Sequence, residues 1–125
     1  MWMFALVAAG GALGSMTRFA LSGLVRQLTS PASFPLGTFI INVLGCLVFG
    51  AIVGVADERG GLGPSARAFL LVGVLGGFTT FSSFGWETFE LLRGGQIGPA
   101  LVNVGGQCLL GLIAVWAGYN LPRLF

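Results

Sequence analysis

Four long apolar runs, each near the length that a bilayer core demands, constrain this chain more than any other feature. The clearest extends from Leu36 to Ala56 without a charge, roughly the twenty residues a helix needs to cross hydrocarbon. Within lipid, only helices and closed barrels satisfy every backbone polar group internally. Charge argues against water as the solvent: 8% of the 125 residues are charged, whereas a soluble domain carries about a quarter. A mean hydropathy of +0.94 and 22 glycines suit membrane helices, where small residues let backbones approach closely. The expected fold class is an all-α membrane protein with four transmembrane helices, forming a single domain over residues 1–125.

Helix 1 is predicted over about 2–28, with Gly10 and Gly14 as a close-packing pair. No charge precedes Arg18, so the cationic start of a secretory signal is missing and the run is expected to remain as a helix. Arg26 suits the interface. Arg18 lies deeper, and either snorkels from a tilted helix or faces a wet vestibule. A polar, Pro-punctuated loop over 29–35 leads into helix 2, about 36–56, where Thr38 and Asn42 stand one turn apart on one face. Helix 3 is predicted over about 66–92 and helix 4 over about 97–119. Asn103 and Gln107 repeat the one-turn polar spacing in helix 4. Cys46 and Cys108 sit inside apolar runs with no metal or redox spacing, and read as packing residues.

Helix 3 is interrupted. Gly76-Gly77-Phe78-Thr79-Thr80-Phe81-Ser82-Ser83-Phe84 opens with two helix-weakening glycines and interleaves four hydroxyls with three rings. We expect half-helices at about 66–76 and 81–92, joined by an unwound linker over 76–80. Loose backbone at membrane depth must line a cavity or hold an ion. Unwound carbonyls there suit a small cation, and a twofold axis through the break would complete an oxygen cage.

The side chains around the break offer a second chemistry. Asn42, Asn103 and Gln107 either hydrogen-bond neighbouring helices or donate N–H to an anion. Phe81 and Phe84 are three apart and share a helix face; their ring edges are positive. Thr79, Thr80, Ser82 and Ser83 add hydroxyls, each also able to bond back to its own helix. Such a set could hold a small, hard anion without a fixed cation. Glu87 and Glu90 fall at the interfacial end of helix 3, where solvation or pairing with Arg93 is expected. With no His and no nucleophile–base pair, the chain does not read as an enzyme. Its scattered arginines form no patch for nucleic acid.

Arg59, Arg67 and Arg123 fall on one side of the membrane; Arg18, Arg26 and Arg93 fall on the other. The positive-inside rule has nothing to act on. Either the chain inserts both ways, which permits an antiparallel homodimer, or a weaker signal sets one orientation.

Taken in order, these motifs are similar to those of the small bacterial fluoride channels called Fluc or CrcB, over essentially the whole length. The matching residues are Gly10-Gly11-Ala12-Leu13-Gly14 through Arg18, then Gly37-Thr38-Phe39-Ile40-Ile41-Asn42, then the Gly76–Phe84 stretch. The resemblance implies an antiparallel, dual-topology homodimer in the inner membrane, passing fluoride passively through two pores. It implies a fluoride pathway of Asn42, Phe81 and Phe84, with Asn103 and Gln107 on a polar track and Arg18 at a vestibule; Thr80, Ser82 and Ser83 join that pathway as hydroxyl donors. It also implies a structural sodium ion held by the Gly76 and Thr79 carbonyls. Gln107 replaces a pore-lining serine of the family. A proton-coupled exporter of hydrophobic cations is the alternative, although it needs a membrane-embedded carboxylate that helices 1 and 2 lack. A packing subunit of a larger complex is a third reading.

Overall fold

The computed structural model describes residues 1–29 and 34–124; most of the loop expected between the first two helices lies outside them. Among the described residues the regular structure is entirely helical. Helix α1 spans Trp2–Leu28 and α2 spans Leu36–Glu58. The third span, Pro64–Arg93, divides into α3 (64–78) and α4 (Phe81–Arg93). Helix α5 covers Ile97–Asn120 and ends in a 3₁₀ turn, Leu121–Leu124. All four spans are long and apolar enough to cross a membrane, so the chain is a multi-pass membrane protein.

Two helix pairs build the bundle, α2 on α5 and α1 on α3. Glycine sets both approaches. A Cβ on Gly50 would meet the backbone of Val115 and Tyr119, and one on Gly118 would meet that of Leu47 and Ala51. On the other pair, a Cβ on Gly77 would lie 2.6 Å from the Gly11 carbonyl oxygen. With no hydrophobic drive between helices in lipid, such backbone-to-backbone packing supplies the contact. The same reasoning explains the small core: Ile41 and Asn103 are the large side chains fully buried, while Phe4, Phe19 and Leu112 stand exposed.

The break is narrower than the glycines suggest. Gly76, Gly77 and Phe78 remain helical, and only Thr79 (φ −82°, ψ 159°) and Thr80 (φ −150°, ψ 111°) are extended. The glycines therefore do not unwind the helix; Gly77 serves its close approach to α1. Upstream, Arg67–Leu75 forms a wider π-helical stretch, a geometry that recurs at functional sites.

The connections follow local rules. Pro64 starts α3 in its first turn, where its missing N–H is not needed. Gly95 ends α4 at φ 73°, with Gln96 N–H on Leu91 O at 2.8 Å and Gly95 N–H on Leu92 O at 3.0 Å. That pair of bonds is a Schellman motif, which favours glycine at its left-handed position.

Candidate functional site

The two extended residues owe their conformation to side chains that take over helical donors. In a continuous helix Thr80 N–H would bond Gly76 O; here it donates to Asn42 Oδ1 at 2.9 Å. Asn42 Nδ2 returns a bond to Thr80 O at 3.2 Å. Similarly, Ser83 N–H, which would reach Thr79 O, donates to Thr80 Oγ1 at 3.2 Å. Thr80 is thus the N-cap of α4, a role suited to Thr because its hydroxyl accepts from an orphan N–H. The carbonyls of Gly76 and Thr79 are left without helical donors.

Beyond Asn42 the bonds continue across α5. Asn42 Nδ2 donates to Gln107 Oε1 at 2.7 Å, and Gln107 Nε2 donates to Asn103 Oδ1 at 2.8 Å. Asn103 Nδ2 then reaches Thr88 Oγ1 at 2.9 Å, whose hydroxyl closes on Phe84 O at 2.7 Å. The one-turn spacing of Asn103 and Gln107 is therefore used for a bond between them.

A groove of about 490 Å³, the inner cavity, is open on the single chain and brings together Asn42, Thr80, Phe81, Phe84 and Gln107, with Gly76 and Thr79 on its wall. The Phe81 and Phe84 rings lie 5.5 Å apart, tilted by 43°. Phe81 is 82% exposed on the single chain. Asn103 has no exposed surface and lies behind Gln107.

A second, outer cavity of about 1020 Å³ lies on the other side of Thr80. Arg18, Arg26, Thr38, Ser83 and Glu87 line it, and Thr80 lines both cavities. Arg18 is half-buried there. Ser82 is exposed, 3.4 Å from Thr80 Oγ1, and borders neither cavity.

Two residues of this region escape a sequence reading. Glu87 lines the outer cavity and has a partner the sequence did not indicate: it accepts Thr38 Oγ1–H at 2.6 Å, while its Oε2 is buried without a partner among the described residues. It stands one turn after Ser83, which lines the same outer cavity, and that spacing is the signal that could have found it. Thr88 carried no such signal, since its role depends on the register of α4 against α5.

Among known proteins, the family model for CrcB-like protein, Camphor Resistance (CrcB), matches residues 5–119. The Fluoride-specific ion channel FluC of Methylobacillus flagellatus is 45% identical over 124 residues, covering 99% of this chain and 97% of the relative. Its namesake in Nitratidesulfovibrio vulgaris (strain Miyazaki F) is 50% identical over 95% of both chains. That of Thermus thermophilus is 48% identical, over 94% of this chain and 93% of its own. With matches of this extent and a helix break built as described, the chain belongs to the CrcB-like family.

Proposed function

We propose that the chain is a fluoride-selective channel of the inner membrane, which lets cytoplasmic fluoride leave down its electrochemical gradient. The observation that carries this reading is the inner cavity, where the Gln107 amide, held by Asn42, joins the two tilted rings of Phe81 and Phe84 in the lining and keeps one N–H without a partner among the described residues. Fluoride is small and hard and holds its hydration shell strongly. N–H donors and positive ring edges can replace that shell, as carbonyls do for a potassium ion. No cationic side chain lines the inner cavity, so no side-chain charge holds the anion in its path, and conduction needs weak binding. Arg18 and Arg26 in the outer cavity would raise the local anion concentration. Thr80, shared by both cavities, stands at the passage between them. The relatives named as fluoride-specific channels support the same substrate.

The working unit in this reading is an antiparallel homodimer. Gly76 and Phe81 line the inner cavity yet lie exposed on the single chain, and a second copy would cover them. The even three-and-three division of arginines fits insertion in both directions. A sodium ion fits between such copies. The Gly76 and Thr79 carbonyls, deprived of helical donors by Asn42 and Thr80, are hard oxygen ligands of the kind such a cation takes. Bound sodium would supply a fixed positive charge joining the two breaks.

Nothing favours proton-coupled export, because the first two spans hold no carboxylate before Asp57 at the end of α2. Proteoliposomes loaded with fluoride and made permeable to potassium should release it to an external electrode within seconds, without a proton gradient. Release only when a proton gradient is imposed would overturn the channel reading.

A further inference from the structure

The chain of hydrogen bonds behind the inner cavity has a single direction, and its Thr80 end compels it. Thr80 N–H can only donate, so Asn42 turns Oδ1 toward it and Nδ2 toward Gln107. Gln107 then offers Oε1 to Asn42 and Nε2 to Asn103 Oδ1. At the far end Asn103 Nδ2 donates to Thr88 Oγ1, whose own proton goes to Phe84 O.

The direction settles what faces the cavity. Both Asn42 Nδ2 hydrogens are used, one by Thr80 O and one by Gln107 Oε1. Gln107 Nε2 uses one hydrogen on Asn103, and its second finds no partner among the described residues. Gln107 lines the inner cavity, whereas Asn103 and Thr88 do not.

We infer that Thr88 and Asn103 are positioning residues which, without touching the permeating anion, hold the Gln107 amide so that it presents N–H and not C=O to the cavity. This inference rests on the channel reading above. An inverted Gln107 would set its oxygen against Asn103 Oδ1 and its nitrogen against Asn42 Nδ2, opposing acceptor to acceptor and donor to donor. Removing the Thr88 hydroxyl leaves Asn103 Nδ2 without its acceptor and Asn103 free to turn, so that the Gln107 amide is held from the Asn42 side alone.

The test uses wild type, Thr88→Val, Thr88→Ser and Asn103→Leu in proteoliposomes at limiting protein. The fraction of vesicles that release fluoride reports folded channels, and the rate within those vesicles reports the pathway. Thr88→Val and Asn103→Leu should each lower the rate about tenfold, the scale of one hydrogen bond, with Thr88→Ser at the wild-type rate. In a Gln107→Ala background, where no amide is left to orient, Thr88→Val should add nothing further. A wild-type rate in Thr88→Val, or an undiminished effect in the Gln107→Ala background, overturns the inference. If wild type carries no fluoride, the channel reading fails instead. The linkage is then judged by NMR: the Gln107 side-chain amide signals should move when Thr88 becomes Val, and unmoved signals overturn it.

Discussion

Asn42 binds the peptide of Thr80 on both edges, accepting its N–H at 2.9 Å and donating to its carbonyl at 3.2 Å. One side chain of α2 thereby substitutes for the helical partners that the third span gives up. It joins the backbone break, the candidate anion cavity and the amide chain across α5 in one residue.

Asn42→Asp keeps the shape and removes both N–H donors. The carboxylate would oppose Thr80 O and Gln107 Oε1 with lone pairs and repel an anion besides. Each lost bond is worth about 1–3 kcal/mol when the partner stays unsatisfied, so fluoride flux should fall by about a hundredfold or more. Efflux from proteoliposomes checks this, and undiminished flux removes Asn42 from the pathway.

The sodium assignment predicts a cation-dependent stability. Ligand binding to the folded state alone stabilises it by about 1.4 kcal/mol for each tenfold rise in concentration above Kd. The melting temperature in detergent should therefore climb with sodium and drop when a bulky organic cation replaces it at constant ionic strength. Identical melting in both salts would rule out a structural sodium ion.

Arg18→Gln separates steering from passage. The outer cavity keeps Arg26 and its polar lining, so the variant should still conduct, a few-fold more slowly at low ionic strength. The deficit should shrink as salt rises, because the Debye length falls to about 8 Å at physiological ionic strength. A deficit independent of salt would place Arg18 in direct contact with the ion.

Glycine packing gives a stability prediction with an internal control. Gly118→Ala forces a methyl group onto the backbone of Leu47 and Ala51 and should cost about 1–3 kcal/mol, the usual penalty for overpacking. Gly98→Ala, where a Cβ meets nothing within 4 Å, should be neutral. Thermal melting of both variants in detergent reads the difference.

Much of this was legible in the residues. Apolar length located the spans, and the one-turn spacing of Asn103 and Gln107 put the two amides on one face, though not their bond to each other. The hydroxyl-and-ring pattern located the break. Its width was not legible, because glycine's weak helix propensity says where a helix can yield, whereas competing hydrogen-bond partners decide where it does. Of those partners, Thr80 on Ser83 N–H is a local cap within the third span, whereas Asn42 on Thr80 N–H depends on how α2 meets that span. The partners of Glu87 and Thr88 were hidden for the same reason: Thr38 and Asn103 reach them only through helix register.

The central claim is selective passage of fluoride past Asn42, Phe81, Phe84 and Gln107. Its most direct test is parallel efflux of fluoride and chloride from the same proteoliposome preparation, each followed with its own electrode. The account predicts rapid fluoride release with chloride retained. Equal rates for the two anions, or no release of either, would contradict it.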